Sequence, residues 1–255
     1  MNWEIVESGP IDAAHSVLLL PGGMCTAAFY QDLMAEPSLT GVRLVAATLP
    51  GFGGTPPPED LGLENYARLA AGLAAEHGCD AVVGHSFGAN VAMEMAVSAG
   101  FTGPLVLLAP SLSRGDAAMP LRVLNQLGKV LGHLPYIAAL KALEPALKKE
   151  VSPERHATLA AEIRRNDPRV NRRQVRAYLE HLDGQGAGPL CASGVPAWLV
   201  FGEKDDVGLT DDERSTLEAC AQTKVVMVPG AGHMTLTSHP TLVAEILLEA
   251  LASVD

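Results

Sequence analysis

Basic residues are scarce in this sequence: 18 Lys and Arg stand against 29 Asp and Glu in 255 residues, for a formal net charge of −11. That balance argues against a surface built to hold a phosphodiester backbone, so nucleic acid is not expected among the partners. No apolar run reaches the roughly 18–20 residues of a membrane span. The opening "MNWEIVESGP" shows no basic stretch followed by an apolar one, so no secretory leader is read there. A cytoplasmic protein without a membrane partner is the expectation. Cysteine is also thin. Cys25, Cys79, Cys191 and Cys220 show no C-x-x-C spacing, which excludes zinc-ribbon and thioredoxin-type chemistry. All four are expected to be reduced and mostly buried, and no metal site is expected. A dinucleotide fingerprint is missing too. "GFGGTP" does not complete G-x-G-x-x-G and runs into prolines rather than a helix, so no cofactor is expected.

What is present is a core. Hydrophobic residues make up 48% of the chain, enough for one large α/β domain. Short aliphatic runs ("SVLLLPGG", "VRLVAATLP", "DAVVGHS", "PLVLLAP", "PAWLVFG", "KVVMVPG") alternate with helical patterns such as "LENYARLAAGLAAEHG" and "FGANVAMEMAVSAG". This alternation predicts a mostly parallel sheet flanked by helices. Strand patterns stop in the middle of the chain. "LRVLNQLGKVLG", "YIAALKALEPALKK", "PERHATLAAEIRRN" and "NRRQVRAYLEHL" all read as helices. Residues 114–185 are therefore expected to form an all-helical cap inserted in a core made of 1–113 and 186–255. The charge changes with the pattern: residues 114–183 hold 13 of the Lys and Arg and 8 of the Asp and Glu.

One pentapeptide carries chemistry. In "VVGHSFGAN", Ser86 lies between Gly84 and Gly88 at the junction of an apolar strand and a helix. A G-x-S-x-G turn there lifts the serine hydroxyl clear of the sheet, and the glycines remove side chains that would collide with the neighbouring strand and helix. Against the reading of an incidental turn serine stands the choice of partners. "VPGAGHM" carries His233 just past the last strand, and the carboxyl ends of parallel strands share one rim. His239 competes but precedes Pro240 and looks like a helix start. His85, beside the serine, is expected to line the pocket or pack. "FGEKDDVG" offers Glu203, Asp205 and Asp206 after another strand end, as a carboxylate to orient the imidazole. The order Ser, Asp, His on three strand-end loops favours a nucleophile.

These segments together resemble the α/β-hydrolase superfamily over essentially the whole chain: "GHSFG" the nucleophile elbow, the Asp of "FGEKDDVG" the acid, "GAGH" the histidine, and "TLPGFGGT" the family's D-x-P-G-x-G-x-S loop. The resemblance implies an α/β-hydrolase fold with a helical cap. It also implies Ser86 as nucleophile, His233 as base and Asp205 as acid, with Asp206 second. It places the oxyanion hole at the backbone N–H groups of Gly23 and Phe87, with Met24 as a substitute for Gly23 and Cys25 facing the pocket. Two positions depart from the family: Pro21-Gly22-Gly23 where His-Gly is common, and Thr48 where the loop often begins with Asp. The implied activity is acyl transfer to water from an ester, lactone or thioester of a small molecule, by a monomer or homo-oligomer. Carbon–carbon bond hydrolysis and perhydrolysis use the same triad, and a non-catalytic receptor is the reading from another class. Epoxide and haloalkane hydrolysis are disfavoured, since relatives with those activities carry Asp in place of Ser86. The cap arginines (Arg164, Arg165, Arg169, Arg172, Arg173, Arg176) have two readings: solvated, cap-docking charge, or a grip on a substrate carboxylate.

Overall fold

The computed structural model describes residues 3–148 and 150–253. In chain order the elements are β1 (Glu4–Ser8), β2 (Ser16–Leu20), α1 (Gln31–Met34), β3 (Arg43–Thr48), α2 (Leu63–Glu76), β4 (Ala81–His85), α3 (Phe87–Ser98) and β5 (Leu105–Leu108). Four helices follow: α4 (Met119–Leu131), α5 (Leu134–Leu147), α6 (Pro153–Arg164) and α7 (Pro168–His181). The chain then runs through α8 (Gly188–Ser193), β6 (Ala197–Gly202), α9 (Asp211–Glu218), β7 (Thr223–Val228), α10 (Thr235–Ser238) and α11 (Pro240–Ala252).

The strands form one seven-stranded sheet in the order β1-β3-β2-β4-β5-β6-β7. Only β1 runs antiparallel, Val6 opposite Ala46. Every residue of β2, β4, β5 and β6 is buried, as continuous aliphatic runs covered by helices on both faces must be. Alternation along the strands divides the core in two. Leu18, Leu20 and Val82 pack with α2, α3 and part of α7, whereas Val17, Leu19 and Val83 pack with α11. α2 fits its place because Leu63, Tyr66, Ala67, Ala70, Leu73 and Ala74 share one buried stripe.

α4–α7 form a helical insertion between β5 and β6. Its neck is closed by Arg114 and Asp183, paired at 2.6 Å. Arg155 docks it on the core by bonding Asp32 (3.3 Å), Gln31 and the Ala28 carbonyl (2.6 Å). Arg165 reaches Glu4 on β1 at 3.2 Å. Among the described residues no helix is long and apolar enough to cross a membrane.

The cysteine expectation needs one correction. Cys25 and Cys79 are free and buried, but Cys191 and Cys220 form a disulfide, with Cα atoms 5.8 Å apart. These two stand at α8 and just beyond α9. Their meeting follows from how two short helices pack, which a separation of 29 residues does not reveal.

Candidate active site

The nucleophile candidate is set by backbone geometry. β4 ends at His85, α3 begins at Phe87, and Ser86 makes the turn with φ 50° and ψ −117°, a left-handed conformation rare outside glycine and found where neighbouring structure enforces it. The turn is tight on both sides. A methyl on Gly84 would stand 2.4 Å from the Gly88 carbonyl oxygen, and one on Gly88 would stand 2.1 Å from that of Leu20. Ser86 N–H is tied to Leu108 O on the adjacent strand at 2.7 Å. The Phe87 N–H belongs to the first turn of α3, whose donors have no partner within the helix. The Phe87 ring holds that turn in place, packing edge-on against Phe52, Tyr66 and Tyr178.

The imidazole and carboxylate come from the loops after β7 and β6. His233 Nδ1 donates to Asp205 Oδ2 at 2.8 Å and lies 3.1 Å from Oδ1. The Asp205 side chain is 2% exposed and that of His233 35%. A carboxylate on Nδ1 leaves Nε2 as the nitrogen that can accept a proton. Asp205 Oδ1 also accepts the Val207 N–H at 3.0 Å, and Glu203 binds Gly230 N–H at 2.8 Å, stapling one loop to the other. Asp206 is exposed and hydrogen-bonds nothing among the described residues, so of the adjacent acids Asp205 alone meets the imidazole. The Ser86 hydroxyl makes no hydrogen bond among the described residues, though it opens into the same cavity as His233. His85 lies behind them. Its Nε2–H donates to the His233 carbonyl at 3.0 Å, with the two rings 4.9 Å apart. Burial, with His233 nearby, lowers its pKa to about 3, so it stays neutral and fixes the backbone of the residue beside it.

All these groups face a cavity of about 750 Å³ between sheet rim and cap. Gly23, Met24, Cys25, His85 and Phe87 line it, and the cap contributes Leu121, Leu124, Ala142 and Leu143. Burial pushes the Cys25 thiol up to about 12, so this cysteine is wall rather than nucleophile. Thr48, at the departure from the family loop, takes the Ala27 N–H at 3.0 Å. Met24 turns with φ 65°, and a residue that sequence reasoning passed over holds it there. Asn166, between α6 and α7, donates to the Met24 carbonyl at 2.8 Å and accepts the Gly53 N–H at 3.2 Å. The signal was "RRNDP", an Asn placed where one helix pattern stops and a Pro starts the next. Gln174 likewise reaches Tyr66 at 2.8 Å, and Tyr178 reaches Asn90 at 3.0 Å.

The other candidates stand apart. His239 bonds Ser238 at 2.9 Å and lines a separate recess. None of the six cap arginines lines the cavity. Arg164 pairs with Glu144, Arg165 with Glu4 and Glu162, and Arg176 with Glu180. In this arrangement none of the six stands where it would meet a carboxylate inside the cavity.

Comparison with known proteins gives the family and the fold. The model of a family described as "Alpha/beta hydrolase family" matches residues 17–246. No curated protein sequence matches this one. Among solved structures, a thermophilic esterase from Thermogutta terrifontis with malate bound superposes with a TM-score of 0.79 at 19% identity, over 99% of this chain and 93% of that one. The N-acyl homoserine lactonase AidH, complexed with N-butanoyl homoserine, gives 0.75 at 17%, over 98% and 96%. The thioesterase domain from the curacin biosynthetic pathway gives 0.73 at 21%, over 96% and 94%. At such identities the likeness is one of fold.

Proposed function

The chain belongs to the alpha/beta hydrolase family, and from that premise we propose that it is a serine hydrolase opening an ester, lactone or thioester of a small molecule through an acyl-enzyme. The observation that carries this reading is the buried Asp205 carboxylate on His233 Nδ1, beside the same cavity as Ser86 on its strained turn. In the proposed reaction Ser86 Oγ attacks the carbonyl carbon as His233 Nε2 takes its proton, and the Asp205 carboxylate stabilises the resulting cation. The N–H groups of Phe87 and Gly23 receive the oxyanion, with Met24 as the alternative to Gly23. His233 then protonates the leaving alcohol or thiol. A water delivered by the same imidazole releases the acid and restores Ser86. The aliphatic cap wall suits an uncharged acyl group. Neighbours named esterase, lactonase and thioesterase are the reason to prefer these bonds to carbon–carbon or peracid chemistry, by analogy of fold. A cytoplasmic location remains part of the reading, without support from the Cys191–Cys220 pair, since disulfides are rare in reducing compartments.

The test is a fluorophosphonate label together with a p-nitrophenyl ester series on wild type and Ser86→Ala. The label is expected on wild type alone, with kcat down by about 10⁴–10⁶ in the variant. No label and no turnover by either protein would indicate a receptor.

A further inference from the structure

The widest departure from ordinary surface chemistry lies on α4. Of the ten large hydrophobic side chains well exposed to solvent among the described residues, six (Met119, Val123, Leu127, Val130, Leu131 and Leu134) fall on α4 and the first residue of α5. Val130 is 84% exposed and Met119 61%. The five on α4 share an arc of roughly 120° at ~100° per residue, so they form one stripe. The adjoining arc is also apolar, but it is used: Leu121 and Leu124 line the cavity. Arg122 and Lys129 border the stripe on the flank away from the cavity. Between Ala117 and Leu143 the chain carries Arg122, Lys129 and Lys141 and no Asp or Glu. Apolar surface gathered in this way marks a site of interaction.

We propose that this face of the cap lies on an anionic lipid surface, with the α4 stripe set into the headgroup boundary and Arg122, Lys129 and Lys141 toward the lipid phosphates. An apolar arc beside a polar one whose only charges are basic is the composition of a helix that rests in a membrane interface. The charge of the rest of the molecule agrees, because the core, with its acidic excess, is turned away while the basic cap is turned toward the membrane. A second copy on the same face would bring these three cations against their own kind with no carboxylate between them, which disfavours a symmetric dimer. The expectation of no membrane partner rested on the lack of a spanning segment, and a helix lying on the surface needs none.

The test is flotation with vesicles of phosphatidylglycerol and phosphatidylcholine in equal parts, against phosphatidylcholine alone. Wild type is expected on the anionic vesicles, with binding falling as salt rises. Leu127→Gln/Val130→Gln should weaken it by about tenfold or more, since two exposed aliphatic side chains lose their apolar contact. Lys129→Glu should lower binding to the anionic vesicles only. None of these residues lines the cavity, so hydrolysis of a short soluble ester should stay at the wild-type level and report an intact fold. Failure of hydrolysis in wild type would count against the serine hydrolase reading and leave the binding result standing. The proposal is overturned by no binding to anionic vesicles, by equal binding of the double variant, or by a lipid-free wild-type dimer that the double variant dissolves.

Discussion

The core and the cap bury their surfaces in different ways. Four central strands of the core are buried throughout, while α4 buries only Asn125 and Gly128, and α5 only Tyr136 and Leu147. The core strands are held by aliphatic packing, whereas the cap joins apolar contacts from α6 and α7 (Leu159, Ile163, Val175 and Leu179) to a set of polar ties: Arg155 at one side, the Arg114–Asp183 neck, and Asn166, Gln174 and Tyr178 reaching inward. The difference assigns roles. In the proposed reaction the groups that move the proton sit on the packed rim, and the cap over the cavity is fastened in part by bonds that can be broken one at a time. Core substitutions should then remove chemistry without loosening the fold, and cap substitutions should loosen the pocket while sparing the chemistry.

The largest effect expected on the core side comes from the two adjacent acids. Asp205→Asn keeps the shape but lets the amide present its NH₂ to His233 Nδ1, so the imidazole loses both tautomer and cation support, and kcat should fall by roughly 10³–10⁴. Asp206→Asn should change it by less than about threefold, because its carboxylate meets no hydrogen-bond partner. Steady-state rates on one ester decide the matter. A larger loss at Asp206 would move the acid by one residue.

The cap counterpart is Asn166→Ala. It frees the Met24 carbonyl and leaves the Gly53 N–H buried without an acceptor, a cost of about 1–3 kcal/mol in stability. Since Met24 follows the proposed oxyanion donor Gly23, kcat should drop by about tenfold with little change in the order of preference among p-nitrophenyl esters. A melting curve together with kcat measures both. A stability loss with unchanged kcat would make Asn166 a tie of the cap and nothing more.

The same contrast governs what could be read without coordinates. "SVLLL" and "AVVGH" are β2 and β4 because unbroken aliphatic runs bounded by Gly and Pro have few other places to go. Strand-end position singles out Ser86, His233 and the acidic run Glu203, Asp205 and Asp206, and the choice of Asp205 among those acids comes from the family resemblance rather than from the alternation of elements. β1 was not seen, because "EIVES" is a half-exposed edge strand whose two glutamates hide the pattern. α9 was missed because "DDERSTLE" buries only Glu213 and Leu217, and the former reads as surface. The cap helices were legible as helices. Which face of α4 closes the cavity was not, since periodicity cannot choose between two apolar arcs. Nor could composition separate an arginine that docks from one that binds ligand; that depends on Glu4 and Glu144 arriving from other elements of the fold.

The smallest effect tests the seam between the two regions. Asp116 sits where the chain leaves β5 for the cap, and its Oδ2 accepts the N–H groups of Leu112 (2.9 Å) and Ser113 (3.0 Å). Its Oδ1 is buried and finds no donor among the described residues. Glu213, which caps α9 through Thr210, is its neighbour. Burial first, and then the hydrogen bond to Glu213, raises the Asp116 pKa from 3.8 to about 7, so below that pH one proton shared by the two carboxyls satisfies Oδ1. The folded state therefore binds a proton that the unfolded chain gives up near 3.8. The stability this contributes is fully present below that value and is lost as pH rises through about 7. Asp116→Asn keeps an acceptor for Leu112 and Ser113, offers an N–H to Glu213 and cannot titrate. Melting curves of both proteins from pH 5 to pH 8 isolate the Asp116–Glu213 pair, because titrations elsewhere cancel in the difference. The wild type should lose ground to the variant from pH 5 to about pH 7 and level off above it, with hydrolysis at pH 8 nearly equal in the two. A constant difference would mean that Asp116 is ionised throughout, and that core and cap are joined at this point by packing alone.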